Sequence, residues 1–72
     1  MPLIYVIDDE DLMRDSLLET FSRDGFTARG FGSARPALEQ LAAQTPDVVL
    51  CDLKLPGLDG LNLFSNYARV WL

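Results

Sequence analysis

A single cysteine, Cys51, stands among the 72 residues, so no internal disulfide can form. It closes the apolar run Val48-Val49-Leu50-Cys51, where it reads as a small buried hydrophobe. Cations are scarce too: six basic residues are scattered singly along a chain of net charge −5. That distribution makes no basic patch and excludes nucleic-acid binding by this segment. No apolar stretch approaches the roughly 20 residues of a membrane span. Met1-Pro2-Leu3 leads straight into a short apolar run that ends in acids, which is not the pattern of a secretory signal. The expected location is the cytoplasm. No repeat, linker or low-complexity segment stands out.

What is present is a globular composition, 49% hydrophobic and 24% charged. The core must be small, since a domain of this size buries only about 60% of its unfolded surface. Residues 3–7, Leu-Ile-Tyr-Val-Ile, form a continuous apolar run suited to a strand buried on both faces. A helix follows over residues 11–24, with Leu12 or Met13, Leu17 and Phe21 at helical spacing, Asp11 as N-cap and Gly25 as a left-handed stop. Arg14 reads as a solvated helix residue. Residues 26–31 alternate as an edge strand does. Ser33 caps a second helix carrying Ala34, Ala37, Leu38, Leu41 and Ala42, with Pro36 in its first turn and Thr45-Pro46 at its end. Residues 47–51 make a third apolar strand. After a loop over residues 53–58, Asp59 caps a third helix through Leu61, Phe64, Ala68 and Trp71. Tyr5, Phe31 and Trp71 read as packing residues. The β-α-β-α-β-α order with short connections implies a parallel sheet.

Two of these strands end in carboxylates, the first in Asp8-Asp9 and the third in Asp52. Ligands of open α/β sheets bind beyond the carboxyl ends of the strands, where the strand order reverses. If the first and third strands are neighbours, three carboxylates converge there. Each pair at about 4 Å repels by about 4 kcal/mol at an effective dielectric of about 20. Protonation or a cation resolves such a cluster. An all-oxygen acidic site suits Mg²⁺, which also neutralises an incoming phosphoryl group. A carboxylate can be the nucleophile of that chemistry. Taken alone, Asp8-Asp9-Glu10-Asp11 reads as a solvated helix entrance. Asp52, which interrupts an apolar run, is more informative.

Ile7-Asp8-Asp9-Glu10, followed by the segment from Val48 through Asp52-Leu53-Lys54-Leu55-Pro56-Gly57-Leu58-Asp59-Gly60, resembles the receiver domain of two-component response regulators. The resemblance covers nearly all of the chain. It implies an α/β, truncated flavodoxin-like (CheY-like) three-layer fold, with parallel sheet order 2-1-3 and helices on both faces. It implies that Asp52 accepts phosphate from a histidine kinase or phosphotransfer protein, with no other enzymatic activity. Asp9 would be the main Mg²⁺ ligand, Asp8 a ligand directly or through water, and the Lys54 backbone carbonyl would complete a set that includes Asp52. Pro56 and Gly57 would shape the loop over the site, and Gly60 would begin the third helix.

A receiver has five strand–helix units. Residues 1–72 are expected to supply the first three and to end in the third helix, without the family's switch hydroxyl or its phosphoryl-contacting lysine. Lys54, the only lysine, does not match that position. In such a half-domain the third strand is an exposed edge, and either self-association through it or marginal folding is expected. Three functions follow: a phosphoacceptor module; a non-phosphorylatable half-receiver acting as a protein–protein interaction module; and a small metal-dependent phosphatase. The last expects a second aspartate where Lys54 stands, and ranks third.

Overall fold

Five consecutive apolar residues cannot alternate between core and solvent, and they do not here. Strand β1, Leu3–Ile7, is buried along its whole length. Fully burying one such side chain stabilises by about 1.5–3 kcal/mol, which fixes this strand in the middle of the sheet. The structure, a computed structural model, describes residues 2–51 and 69–71. Within them the order is β1, α1 (Asp11–Arg23), β2 (Thr27–Phe31), α2 (Ala34–Gln40), β3 (Val48–Cys51) and β4 (Arg69–Trp71). All pairings are parallel and the sheet order is β2-β1-β3-β4. The expected 2-1-3 order is observed, and a fourth strand extends it.

The two helices cover opposite faces. On one, Leu3, Tyr5 and Ile7 of β1 meet Val49 and Cys51 of β3 and Ala37 of α2, with Phe31, Leu38 and Leu41 packed around them. The Tyr5 and Phe31 rings lie 4.9 Å apart, edge to face at 61°. On the other face, Gly30, the register partner of Val6, lies beneath Arg14 and Leu18 of α1. The stripe that α1 turns towards the sheet is therefore Arg14, Leu17, Leu18 and Phe21, spaced i, i+3, i+4, i+7 and all half-buried. Leu12 or Met13 was expected on that stripe, yet the two are 81% and 49% exposed.

Helix ends follow local chemistry with three departures. Gly25 adopts φ +91 and closes α1. Its N–H donates to the Ser22 carbonyl at 3.2 Å, and that of Phe26 to Phe21 at 3.1 Å, the two bonds of a Schellman ending. The accompanying apolar contact is Phe21 against Phe26, rings 6.1 Å apart. The N-cap of α1 is Glu10, not Asp11, and no side chain caps it. Asp11 is the first helical residue, and its carboxylate is taken by Arg14 instead. Ser33 is the N-cap of α2 but makes no side-chain bond. Helix α2 stops at Gln40, ahead of Thr45-Pro46, where the backbone turns through 3.0 and 2.9 Å bonds from Ala43 and Gln44 to the Gln40 carbonyl.

The chain's tail departs most from expectation. Ala68 and Trp71 are spaced for a helix, yet Arg69–Trp71 is a strand, in register with Val48, Val49 and Leu50. The β3 edge expected to drive self-association is thus paired over those residues. Periodicity cannot tell helix from strand in so short an apolar run. The unpaired N–H and C=O groups of β3 favour strand pairing. The expected loop over residues 53–58 and the expected third helix through Leu61 and Phe64 lie outside the described residues, as do the Val70 and Trp71 side chains. No described helix is long and apolar enough to cross a membrane.

Candidate metal and phosphoacceptor site

Strand β1 delivers Asp8 and Asp9 to the carboxyl end of the sheet. Its last residue, Ile7, pairs with Phe31 on one side and Cys51 on the other. Ile7 and its β3 partner Cys51 are each followed in sequence by an acid, Asp8 and Asp52. Asp52 and Lys54, with Pro56, Gly57, Asp59 and Gly60, lie outside the described residues.

Asp8 is the buried acid of the pair, 5% exposed, while Asp9 and Glu10 are exposed. Three hydrogen bonds hold it. Its N–H donates to the Phe31 carbonyl at 3.0 Å, continuing the β1–β2 ladder by one residue. Its Oδ1 accepts the Glu10 N–H at 2.9 Å, a side-chain turn that bends the chain towards α1. Its carbonyl accepts Nη1 of Arg14 at 2.8 Å. Arg14 also donates through Nη2 to Asp11 at 2.6 Å. Beside Asp8 opens a cavity of about 170 Å³, lined by Val6, Ile7, Asp8, Leu17, Leu50 and Cys51.

Arg14 is the residue that sequence reasoning misread. It is not solvated: its side chain is 19% exposed and lies against Gly30. Counting back from Phe21 by the i, i+3, i+4, i+7 rule gives Leu18, Leu17 and Arg14, so the signal was in the spacing. Glu10 does face solvent and orients the loop through its amide. Among the described residues no group of three or more acids, histidines or cysteines is gathered closely enough to hold a metal.

The model of the response regulator receiver domain matches residues 4–71. The chain belongs to the response-regulator receiver family. Among curated relatives, the C4-dicarboxylate transport transcriptional regulatory protein DctD of Rhizobium meliloti (strain 1021) is 40% identical over 90% of this chain. The DNA-binding transcriptional regulator NtrC of Escherichia coli (strain K12) is 39% identical over 89% of it. This receiver spans 14% of the length of each of those proteins. Solved structures agree. TrrA of Thermotoga maritima, in complex with Mg²⁺-BeF, superposes with TM-score 0.78 at 26% identity, over 97% of this chain and 66% of that one. A complex of the histidine kinase ThkA with TrrA matches with TM-score 0.73 at 29% identity, over 92% of this chain and 57% of the matched chain. The receiver is a signalling domain, and over the described residues its CheY-like architecture is that of these neighbours.

Proposed function

We propose that this receiver accepts a phosphoryl group on Asp52 from a histidine kinase or phosphotransfer protein in the cytoplasm. A carboxylate oxygen of Asp52 attacks phosphorus, the P–O bond forms, and the P–N bond to the donor imidazole breaks. No other reaction is assigned to the domain. Asp8, Asp9, Asp52 and the Lys54 carbonyl would hold Mg²⁺. The donor set fits that ion: it is all oxygen, and the Asp8 carboxylate is held in place through one oxygen by the Glu10 amide. When bound, Mg²⁺ offsets the negative charge that builds up as phosphate meets carboxylates. The rest falls to the protein. The Glu10 amide orients the Asp8 carboxylate, and the β1–β3 pairing brings the two acid-bearing strand ends side by side.

One observation supports this reading above the others: Ile7 and Cys51 are register partners, each followed in sequence by an acid. TrrA was solved with Mg²⁺-BeF and with a histidine kinase, which supports both the cation and the donor class. A second reading, the half-receiver as a protein–protein interaction module, is favoured by the exposed Leu12 and Met13 on α1. Intact mass after incubation with acetyl phosphate and Mg²⁺ separates the two. The phosphoacceptor reading expects a phosphate-sized gain that disappears in Asp52→Asn. No gain in a folded sample would overturn it and leave the interaction module.

A further inference from the structure

Arg14 occupies a place on α1 that its neighbours on the stripe fill with leucine and phenylalanine. A cation set against the sheet is costly unless it is bonded, and this one is bonded twice. Nη1 donates to the Asp8 carbonyl and Nη2 to the Asp11 carboxylate, so one guanidinium joins the end of β1 to the first turn of α1. The Asp8 carbonyl belongs to the same planar peptide unit as the Asp9 N–H. Whatever holds that carbonyl sets the direction in which the chain leaves Asp8 and enters Asp9.

Space for the guanidinium stem comes from β2. A Cβ on Gly30 would stand 2.8 Å from Leu18 Cδ1, 3.0 Å from Arg14 Cδ and 3.1 Å from Arg14 Cγ. Something must then shift, and the arginine stem is a flexible part of the contact. Gly32 is different: a Cβ there would meet Arg14 Nη1 at 3.6 Å, an ordinary contact.

We propose that Arg14 is a positioning residue of the acidic site, fixing the Asp8–Asp9 peptide from helix α1, and that Gly30 is the notch in the sheet that admits it. The inference rests on the reading of Asp8 and Asp9 as metal ligands. It predicts a sign that simple electrostatics does not. Arg14 is a positive charge beside a cation site, so by Coulomb repulsion alone its removal strengthens cation binding. By positioning, its removal weakens it.

The test is Mn²⁺ affinity by calorimetry, together with amide hydrogen exchange in the metal-free protein. Arg14→Met should weaken Mn²⁺ binding about tenfold, within the range seen when an outer-shell partner of a metal ligand is removed. Arg14→Lys should fall between, since an ammonium keeps the charge but loses the fork. Gly30→Ala, which changes no charge, should weaken binding in the same direction, and Gly32→Ala should leave it unchanged. Without metal, Arg14→Met and Gly30→Ala should speed exchange of the Glu10 amide that donates to Asp8, while the amides of Val6 and Val49 stay protected. Arg14→Met binding Mn²⁺ as tightly as wild type or more so, with the Glu10 amide still slow, overturns the inference. Wild-type binding that is absent, or indifferent to Asp9→Asn, overturns the metal reading instead. The amide exchange then still decides whether Arg14 holds the Asp8 turn.

Discussion

Replacing Tyr5 by phenylalanine isolates one hydroxyl. The Tyr5 side chain is fully buried at the centre of the sheet. Its ring packs on Phe31, and its hydroxyl donates to the Gln44 carbonyl in the turn after α2. Phenylalanine keeps the ring contact and loses that bond. The net loss at neutral pH is about 1 kcal/mol. Gln44 is exposed, so water can replace the missing donor, and no buried carbonyl is left without a partner. Alkaline pH should narrow this gap. Burial pushes the Tyr5 hydroxyl above its ordinary pKa, and the nearby Arg29 guanidinium only partly opposes it. A raised folded-state pKa means that the contribution is complete below the unfolded value of about 10 and is lost as pH climbs through the folded value. In that window stability falls by up to about 1.4 kcal/mol per pH unit. Phenylalanine has no proton to lose. All other ionisable groups are common to both proteins and cancel in the difference. Urea unfolding at pH 7, 9, 10 and 11 should show wild type ahead at the first two and the gap closing above pH 10. Parallel profiles across the range would refute the account of Tyr5.

Two further substitutions probe the backbone frame. Gly25→Ala places a side chain at φ +91 where no atom lies within 4 Å, so its cost is conformational alone. About 1–2 kcal/mol of destabilisation is expected in urea, with the slope unchanged. Asp47 ties the start of β3 to β1: its Oδ2 accepts the Leu3 N–H at 2.8 Å while its own N–H donates to the Leu3 carbonyl at 2.8 Å. Asp47→Ala leaves the buried Leu3 without an acceptor and should cost about 1–3 kcal/mol by the same measurement. Asp47→Asn keeps an acceptor oxygen and should lose less.

Much of this receiver was legible in its sequence, because the signals were local. The unbroken apolar run of β1 demanded burial on both faces. Gly25 marked the end of α1, since a left-handed residue is needed there. The neighbourhood of β1 and β3, whose paired ends Ile7 and Cys51 are each followed by an acid in sequence, was legible from their matching apolar runs. Local signals also misled. The N-cap of α1 went to Glu10, because Asp11 was drawn into the first turn by Arg14. Three things were decided by tertiary structure alone. Arg69–Trp71 became a strand because β3 offered it an unpaired edge, which no window of sequence around Trp71 contains. Leu12 and Met13 remained exposed because the stripe packed on the sheet is set by where α1 lies, not by which residues are apolar. Arg14 turned inward because Gly30, 16 positions later in the chain, leaves it room beside a carbonyl that needs a donor. Composition and periodicity report what each segment prefers by itself. Pairing, burial of a cation and the use of an edge depend on what another segment brings.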